Sequence, residues 1–204
     1  DRNGPRVVSM TPELKIDNTF DKIELTYDEP IEAWSFDPAD VVLTAPSGQR
    51  VSITQVTELA ANRFRLSFPA HAVAGTWTLV LGPRITDVLG NPMNQDDDLV
   101  SGEPEDAFST QITQYLPDLE ITTLTTTGNA IAGQTLTVSW TVTNREQAAA
   151  EHDWHDTVVL SANDLWDGDD IQLASLDVAQ HSPLTRNAAY TMTADVEIPM
   201  DWTP

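Results

Sequence analysis

The chain of 204 residues contains no cysteine, which excludes disulfides and thiolate metal sites and leaves the compartment unreadable from redox chemistry. Basic residues are scarce: 10 Lys and Arg stand against 32 Asp and Glu, a formal charge of −22. Such a field repels phosphate backbones and anionic bilayers, so nucleic acid is excluded as a partner. No run approaches the ~18 uninterrupted apolar residues of a spanning helix, and direct membrane insertion is not expected. Catalytic signatures are missing as well. There is no Gly-x-Ser-x-Gly elbow and no His-Glu-x-x-His pair. Carboxylates abound, but glycoside hydrolysis needs a cleft that holds two of them at a fixed separation. The sequence therefore predicts no enzymatic activity. Its first residues, Asp1-Arg2-Asn3-Gly4-Pro5, offer neither an initiator methionine nor an apolar signal core, and the chain reads as a slice from inside something longer.

What is present is alternation. Apolar and polar residues alternate over 6–10, 22–27, 41–44, 51–56, 63–68 and 76–81, the period of a half-buried strand. Turn-formers separate these runs at close spacing, among them Thr11-Pro12, Asp28-Glu29-Pro30, Pro46-Ser47-Gly48 and Gly90-Asn91-Pro92. A further strand over 108–115 closes a first module. Leu116-Pro117-Asp118 marks a boundary, giving domains 1–116 and 117–204. In the second, strands are expected over 119–124, 134–143, 157–161, 171–178 and 189–198, with Leu136, Val138, Trp140 and Val142 facing the core. Helix is confined at most to 148–151.

The fold class is thus all-β, two tandem β-sandwich domains. A seven-stranded sandwich takes about a hundred residues, and 117–204 supplies only about five strands, so the second domain is expected to be incomplete at its C-terminus. Its closing hairpin is expected beyond residue 204, lost, or supplied by another chain. An open edge strand then invites pairing with other copies.

Two family resemblances follow from particular residues. Gly4-Pro5-Arg6-Val7-Val8-Ser9, Tyr27-Asp28-Glu29-Pro30-Ile31, Gly75-Thr76-Trp77-Thr78-Leu79 and Ile85-Thr86-Asp87 with Gly90-Asn91 make the first half resemble the bacterial immunoglobulin-like module of S-layer and adhesin-type proteins. Pro117-Asp118-Leu119, the run from Ala132-Gly133-Gln134 through Trp140-Thr141-Val142-Thr143-Asn144, and residues 154–161 make the second half similar to the cell-adhesion-related domain of bacteria, CARDB. The resemblances imply tandem immunoglobulin-like sandwiches in a secreted or cell-surface bacterial protein, with a structural or adhesive role. Implied partners are neighbouring domains of the same chain and surface glycans or proteins. The alternative is a carbohydrate-binding accessory to an extracellular hydrolase.

The sharpest local feature is the acidic run 94–106. Asn94, Asp96, Asp98, the carbonyl of Val100, and a carboxylate from Glu103, Glu105 or Asp106 place oxygens at alternate positions, a pattern that suits Ca²⁺ with its six to eight oxygen ligands. The first family often carries an Asp-x-Asp-Gly-Asp-Gly run here. This chain departs from it, with Asp97 and Leu99 in place of the glycines, so a plain solvated acidic loop stands beside the calcium reading. A second candidate joins Asp156 to Asp164, Asp167 and Asp169, against a common Asp-Gly turn at Gly168 whose side chains cap their own backbone. His152 and His155 lack a third soft ligand nearby and are expected as surface residues. Of six tryptophans, Trp77 and Trp140 are expected in the core. Trp34, Trp154, Trp166 and Trp202 are candidates for exposure, and hence for stacking on sugars.

Overall fold

A computed structural model describes residues 3–13, 15–17 and 19–202. The chain divides into two compact units, Asp1–Leu116 and Pro117–Pro204. Helix is limited, among the described residues, to single 3₁₀ turns at Ala33–Ser35, Pro38–Asp40, Pro104–Asp106 and Ala179–His181. Among the described residues no helix is long and apolar enough to cross a membrane. Over 148–151, the one stretch where the sequence left room for helix, none forms. Ala148 and Ala150 are buried, and Ala150 instead makes an antiparallel bridge with Leu184. Tertiary burial overrides the helix preference of alanine here.

The strands of the first unit are β1 (Val7–Thr11), β2 (Lys15–Asp17), β3 (Phe20–Tyr27), β4 (Val41–Thr44), β5 (Arg50–Val51), β6 (Gln55–Ala60), β7 (Arg63–His71), β8 (Gly75–Leu81) and β9 (Phe108–Tyr115). They form two sheets, ordered β1-β3-β7-β6 and β2-β9-β8-β4-β5. All pairings are antiparallel except β2 with β9, which is parallel and sets Lys15 beside Thr113. The run 51–56, expected as one strand, is two. β5 pairs with β4 in one sheet, β6 pairs with β7 in the other, and the residues between them carry the buried Ile53. A chain that changes sheets keeps its hydrophobic alternation through the crossing, so the pattern alone does not reveal the break.

Alternation along the strands fills the space between these sheets. Ile23, Leu25 and Tyr27 of β3 and Phe64, Leu66 and Phe68 of β7 are buried against Leu43, Trp77, Leu79, Leu81 and Ile112 of the other sheet. Each such side chain, fully removed from water, contributes about 1.5–3 kcal/mol. Phe20 packs edge-on to both Phe68 and Trp77, at centroid distances of 4.8 Å and 5.1 Å. Those T-shaped contacts suit the aromatic quadrupole. The N-terminal approach is held closely: a Cβ on Gly4 would stand 1.5 Å from the carbonyl oxygen of Pro92. Only glycine fits at that crossing.

The second unit contains β10 (Leu119–Thr126), β11 (Thr135–Asn144), β12 (His155–Leu160), β13 (Ile171–Asp177) and β14 (Ala189–Glu197). One sheet has the order β10-β11-β14 and the other is the pair β12-β13. Val138, Trp140 and Val142 are buried, with half-buried Leu136 packed against the same cluster, as the alternation predicts. Beyond β11, Asn144 organises the loops. Its fully buried amide donates to the carbonyls of Ala148 (2.7 Å) and Leu184 (2.9 Å) and accepts from the N–H groups of Asp118 (3.1 Å) and Glu146 (3.2 Å). A buried amide with its donors and acceptor engaged escapes the desolvation penalty that makes an isolated one costly.

Candidate functional site

The acidic run lies between β8 and β9 and is tied to the start of the sandwich. Gln95 straps it to β1, accepting from the N–H of Val7 (2.9 Å) and donating to its carbonyl (3.2 Å). Arg6 Nη1 pairs with Asp97 Oδ2 at 3.0 Å. Asp97 itself takes a left-handed backbone, φ 63°, which aspartate tolerates better than most residues. The sharp turning that the family pattern assigns to glycines is therefore made at Asp97 and Gly102 (φ 84°). Leu99 projects into solvent.

Within this frame the predicted ligands separate into two groups. Carboxylate oxygens of Asp96, Asp98 and Glu103 lie within 4.8 Å of one another. The Glu103 carboxyl is pushed above its ordinary range by desolvation first, and then by the charges of Asp98, Glu105, Asp106 and Asp96. Asn94 is buried and spent on the loop itself: Nδ2 donates to the carbonyl of Asp98 (3.0 Å) and Oδ1 accepts from its N–H (3.1 Å). Asp98 Oδ1 also receives the N–H of Val100 at 2.6 Å. Glu105 and Asp106 fall outside the cluster. Asp106 is fully buried and caps the 3₁₀ turn, Oδ2 accepting from the N–H of Glu103 at 3.2 Å, while its Oδ1 has no hydrogen-bond partner.

The second candidate set is not brought together as one cluster. Asp156 points to the core side of β12, where it accepts from Trp140 Nε1 (2.6 Å) and the Tyr190 hydroxyl (2.8 Å). Asp164, Asp167 and Asp169 lie in the exposed loop after β12. There Asp167 Oδ1 accepts from the N–H of Asp169 (2.9 Å), and the N–H of Asp167 donates to Asp170 Oδ2 (2.9 Å). These are turn bonds in which aspartate mimics backbone. A hydrogen bond from Ser161, followed by one from the Asp167 backbone, lowers the pKa of Asp170.

Asp87, which entered the sequence reading only as part of the family pattern, is a buried carboxylate of the first unit. It is buried despite desolvation and is held ionised by Asn91, which gives a side-chain bond of 2.7 Å and a backbone bond of 2.8 Å, with the N–H of Leu89 adding another at 2.8 Å. The signal available was the Asp87-to-Asn91 spacing of a closed turn. Among the tryptophans, Trp77 and Trp140 are in the core, Trp34 (80%) and Trp166 (74%) are exposed, and Trp154 and Trp202 are half-buried.

No curated protein matches the chain. The N-terminal part of the bacterial S-layer protein SbsC aligns with 95% of this chain and 44% of its own length, at 12% identity and a TM-score of 0.41. The Yersinia pseudotuberculosis adhesin InvE aligns with 97% of this chain and 53% of its own, at 16% identity and 0.31. CopC from Methylosinus trichosporium OB3b aligns with 55% of this chain and 92% of its own, at 12% identity and 0.33. This chain thus spans less than half the length of the SbsC structure it matches, and at these scores the three likenesses carry no argument. The sequence pattern of the bacterial Ig-like domain matches residues 1–110. That is more than half of the 204 residues, and on this match the chain belongs to the bacterial Ig-like domain family.

Proposed function

We propose that this chain is a pair of structural or adhesive modules from a secreted or cell-surface bacterial protein, the second module being of the CARDB type, with spacing and contact as its work. The observation that carries the reading is the sealed core of the first unit. Its inner side chains are buried on both sheets, which leaves loops and strand edges as the places for contact. Neighbouring domains of the parent chain are its first partners. No catalysis is assigned.

Calcium belongs to the same proposal. Asp96, Asp98 and Glu103 present three carboxylates that converge at a solvent-facing loop, and hard oxygen ligands with open positions for water suit a Ca²⁺ ion. Bound there, the ion offsets mutual repulsion and stiffens the strap that Gln95 and Asp97 make to the first strand.

A second reading, glycan binding, is favoured by the exposed indoles of Trp34 and Trp166, since a sugar ring stacks on such a surface. Antibody raised against the chain and applied to intact cells tests the first reading. Labelling before lysis is the expected result, and labelling only after lysis overturns it. Binding to a glycan array, lost in Trp34→Ala or Trp166→Ala, selects the second.

A further inference from the structure

In the second unit the inner face of β10-β11-β14 is only partly roofed by β12 and β13. An apolar groove of about 650 Å³ remains, bordered by Val138, Trp140 and Val142 of β11 and by Leu119, Ile121 and Leu124 of β10. Ile121 is 61% exposed and Leu124 65%, an unusual cost for two large residues of one strand.

The far wall is β12. Every residue of that strand, from His155 to Leu160, borders the groove. Because successive strand residues point to opposite faces, a groove that touches all of them runs along the strand's edge. That edge is free: among the described strands, β12 pairs with β13 alone. An unpaired backbone edge beside an apolar trough is the arrangement that accepts an added strand, with ladder hydrogen bonds on one side and pockets for alternate side chains beneath. β12 is 6 residues long, which sets the length of segment it pairs with.

Charge selects the occupant. Residues 117–204 carry 14 Asp and Glu against only Arg145 and Arg186. Asp156 stands in the groove wall, hydrogen-bonded to the neutral donors of Trp140 and Tyr190, and no cation pairs with it among the described residues. The loop holding Asp164, Asp167, Asp169 and Asp170 brings Trp166 to the same groove. A second copy of this chain carries the same −22 and is disfavoured by repulsion. We propose that the groove binds an extended segment of a partner protein, added as a strand beside β12, apolar at alternate positions and carrying Lys or Arg at the others. The inference concerns the second unit alone and depends neither on the calcium loop nor on where the parent protein resides.

The test uses the whole chain and a labelled synthetic peptide of about eight residues alternating valine and lysine. Two controls accompany it: the same composition with valines and lysines in separate blocks, and an alternating valine–glutamate peptide. Fluorescence anisotropy is expected to show binding of the alternating lysine peptide only. Replacing Ile121→Ser together with Leu124→Ser, both exposed in the unbound chain, is expected to weaken it about tenfold or more with an unchanged circular dichroism spectrum. Val8→Ser, an exposed apolar residue of the first unit, is expected to leave it unchanged. No binding by the alternating peptide overturns the proposal. So does equal binding of the block peptide, or binding that survives the double replacement, since each reports diffuse electrostatics. Equal binding of the glutamate peptide overturns the charge selection, and self-association lost in the double variant assigns the groove to a second copy instead.

Discussion

The indole N–H of Trp140 on β11 donates to Asp156 Oδ2 on β12 at 2.6 Å, and this bond joins the two sheets of the second unit. The other oxygen of Asp156 accepts from the Tyr190 hydroxyl at 2.8 Å, which in turn accepts from Trp154 Nε1 at 3.0 Å. His181 stacks flat on the Tyr190 ring, 4.3 Å between centroids. A carboxylate on one sheet that takes both of its donors from the other acts as a cross-link between them.

Removing that cross-link strands two donors. Asp156→Ala is expected to destabilise the second unit by about 1–3 kcal/mol, the usual cost of leaving partly buried donors unpaired. Asp156→Asn retains one carbonyl acceptor and recovers part of the loss. Urea unfolding followed by tryptophan fluorescence measures both, and a midpoint unchanged in Asp156→Ala contradicts the assignment.

Alkaline pH attacks the same place. Burial, and after it the bond to and charge of Asp156, push the Tyr190 hydroxyl up to about 12 against a hydrogen bond from Trp154 that lowers it. The folded value lies above the unfolded one, so the unfolded tyrosine loses its proton first. Stability is therefore complete below about pH 10 and falls as pH rises from there toward about 12. Tyr190→Phe is expected to flatten this fall in the second unit's urea midpoint. A slope that persists in the variant places the titration elsewhere.

The strands of the sandwich were legible because their chemistry is local. Leu136, Val138, Trp140 and Val142 announce a buried face by spacing alone. Where a distant contact decides, the pattern is silent or misleads: nothing local to Ala150 announces its bridge to Leu184, and 51–56 looks continuous although its ends belong to different sheets. The parallel strand β2 carries no period long enough to detect. For the acidic loop, composition identified the carboxylates, but only the fold separates Asp96, Asp98 and Glu103, whose oxygens converge, from Asn94 and Asp106, which are buried and bonded to the loop backbone. Asp156 sat in the same acidic vocabulary, and nothing in its neighbours foretold the indole it meets across the core.

Calcium gives a direct readout of the loop. A ligand that binds only the folded state adds about 2.7 kcal/mol at a hundred times its Kd. The melting temperature of the first unit is expected to be higher in millimolar Ca²⁺ than in chelator, and the difference is expected to vanish in Asp98→Asn and in Glu103→Gln. An identical melting curve in both conditions removes the metal from the proposal and leaves the fold untouched.

Two tryptophans of the first unit separate core from surface. Trp77 is fully buried and Trp34 is 80% exposed. Trp77→Ala is expected to cost about 3–5 kcal/mol through lost burial and a residual cavity. Trp34→Ala stays within about 0.5 kcal/mol. Comparable losses for both, by urea denaturation, contradict the packing described for β8.

The parallel ladder of β2 and β9 has a mechanical meaning. Lys15 lies beside Thr113 and Asp17 beside Tyr115, so tension arriving along the polypeptide from either side of the unit pulls these strands past each other lengthwise. Their hydrogen bonds then bear the load together instead of opening one after another like a zipper. A stretching force applied at the two ends of the unit would therefore meet even this short ladder in shear.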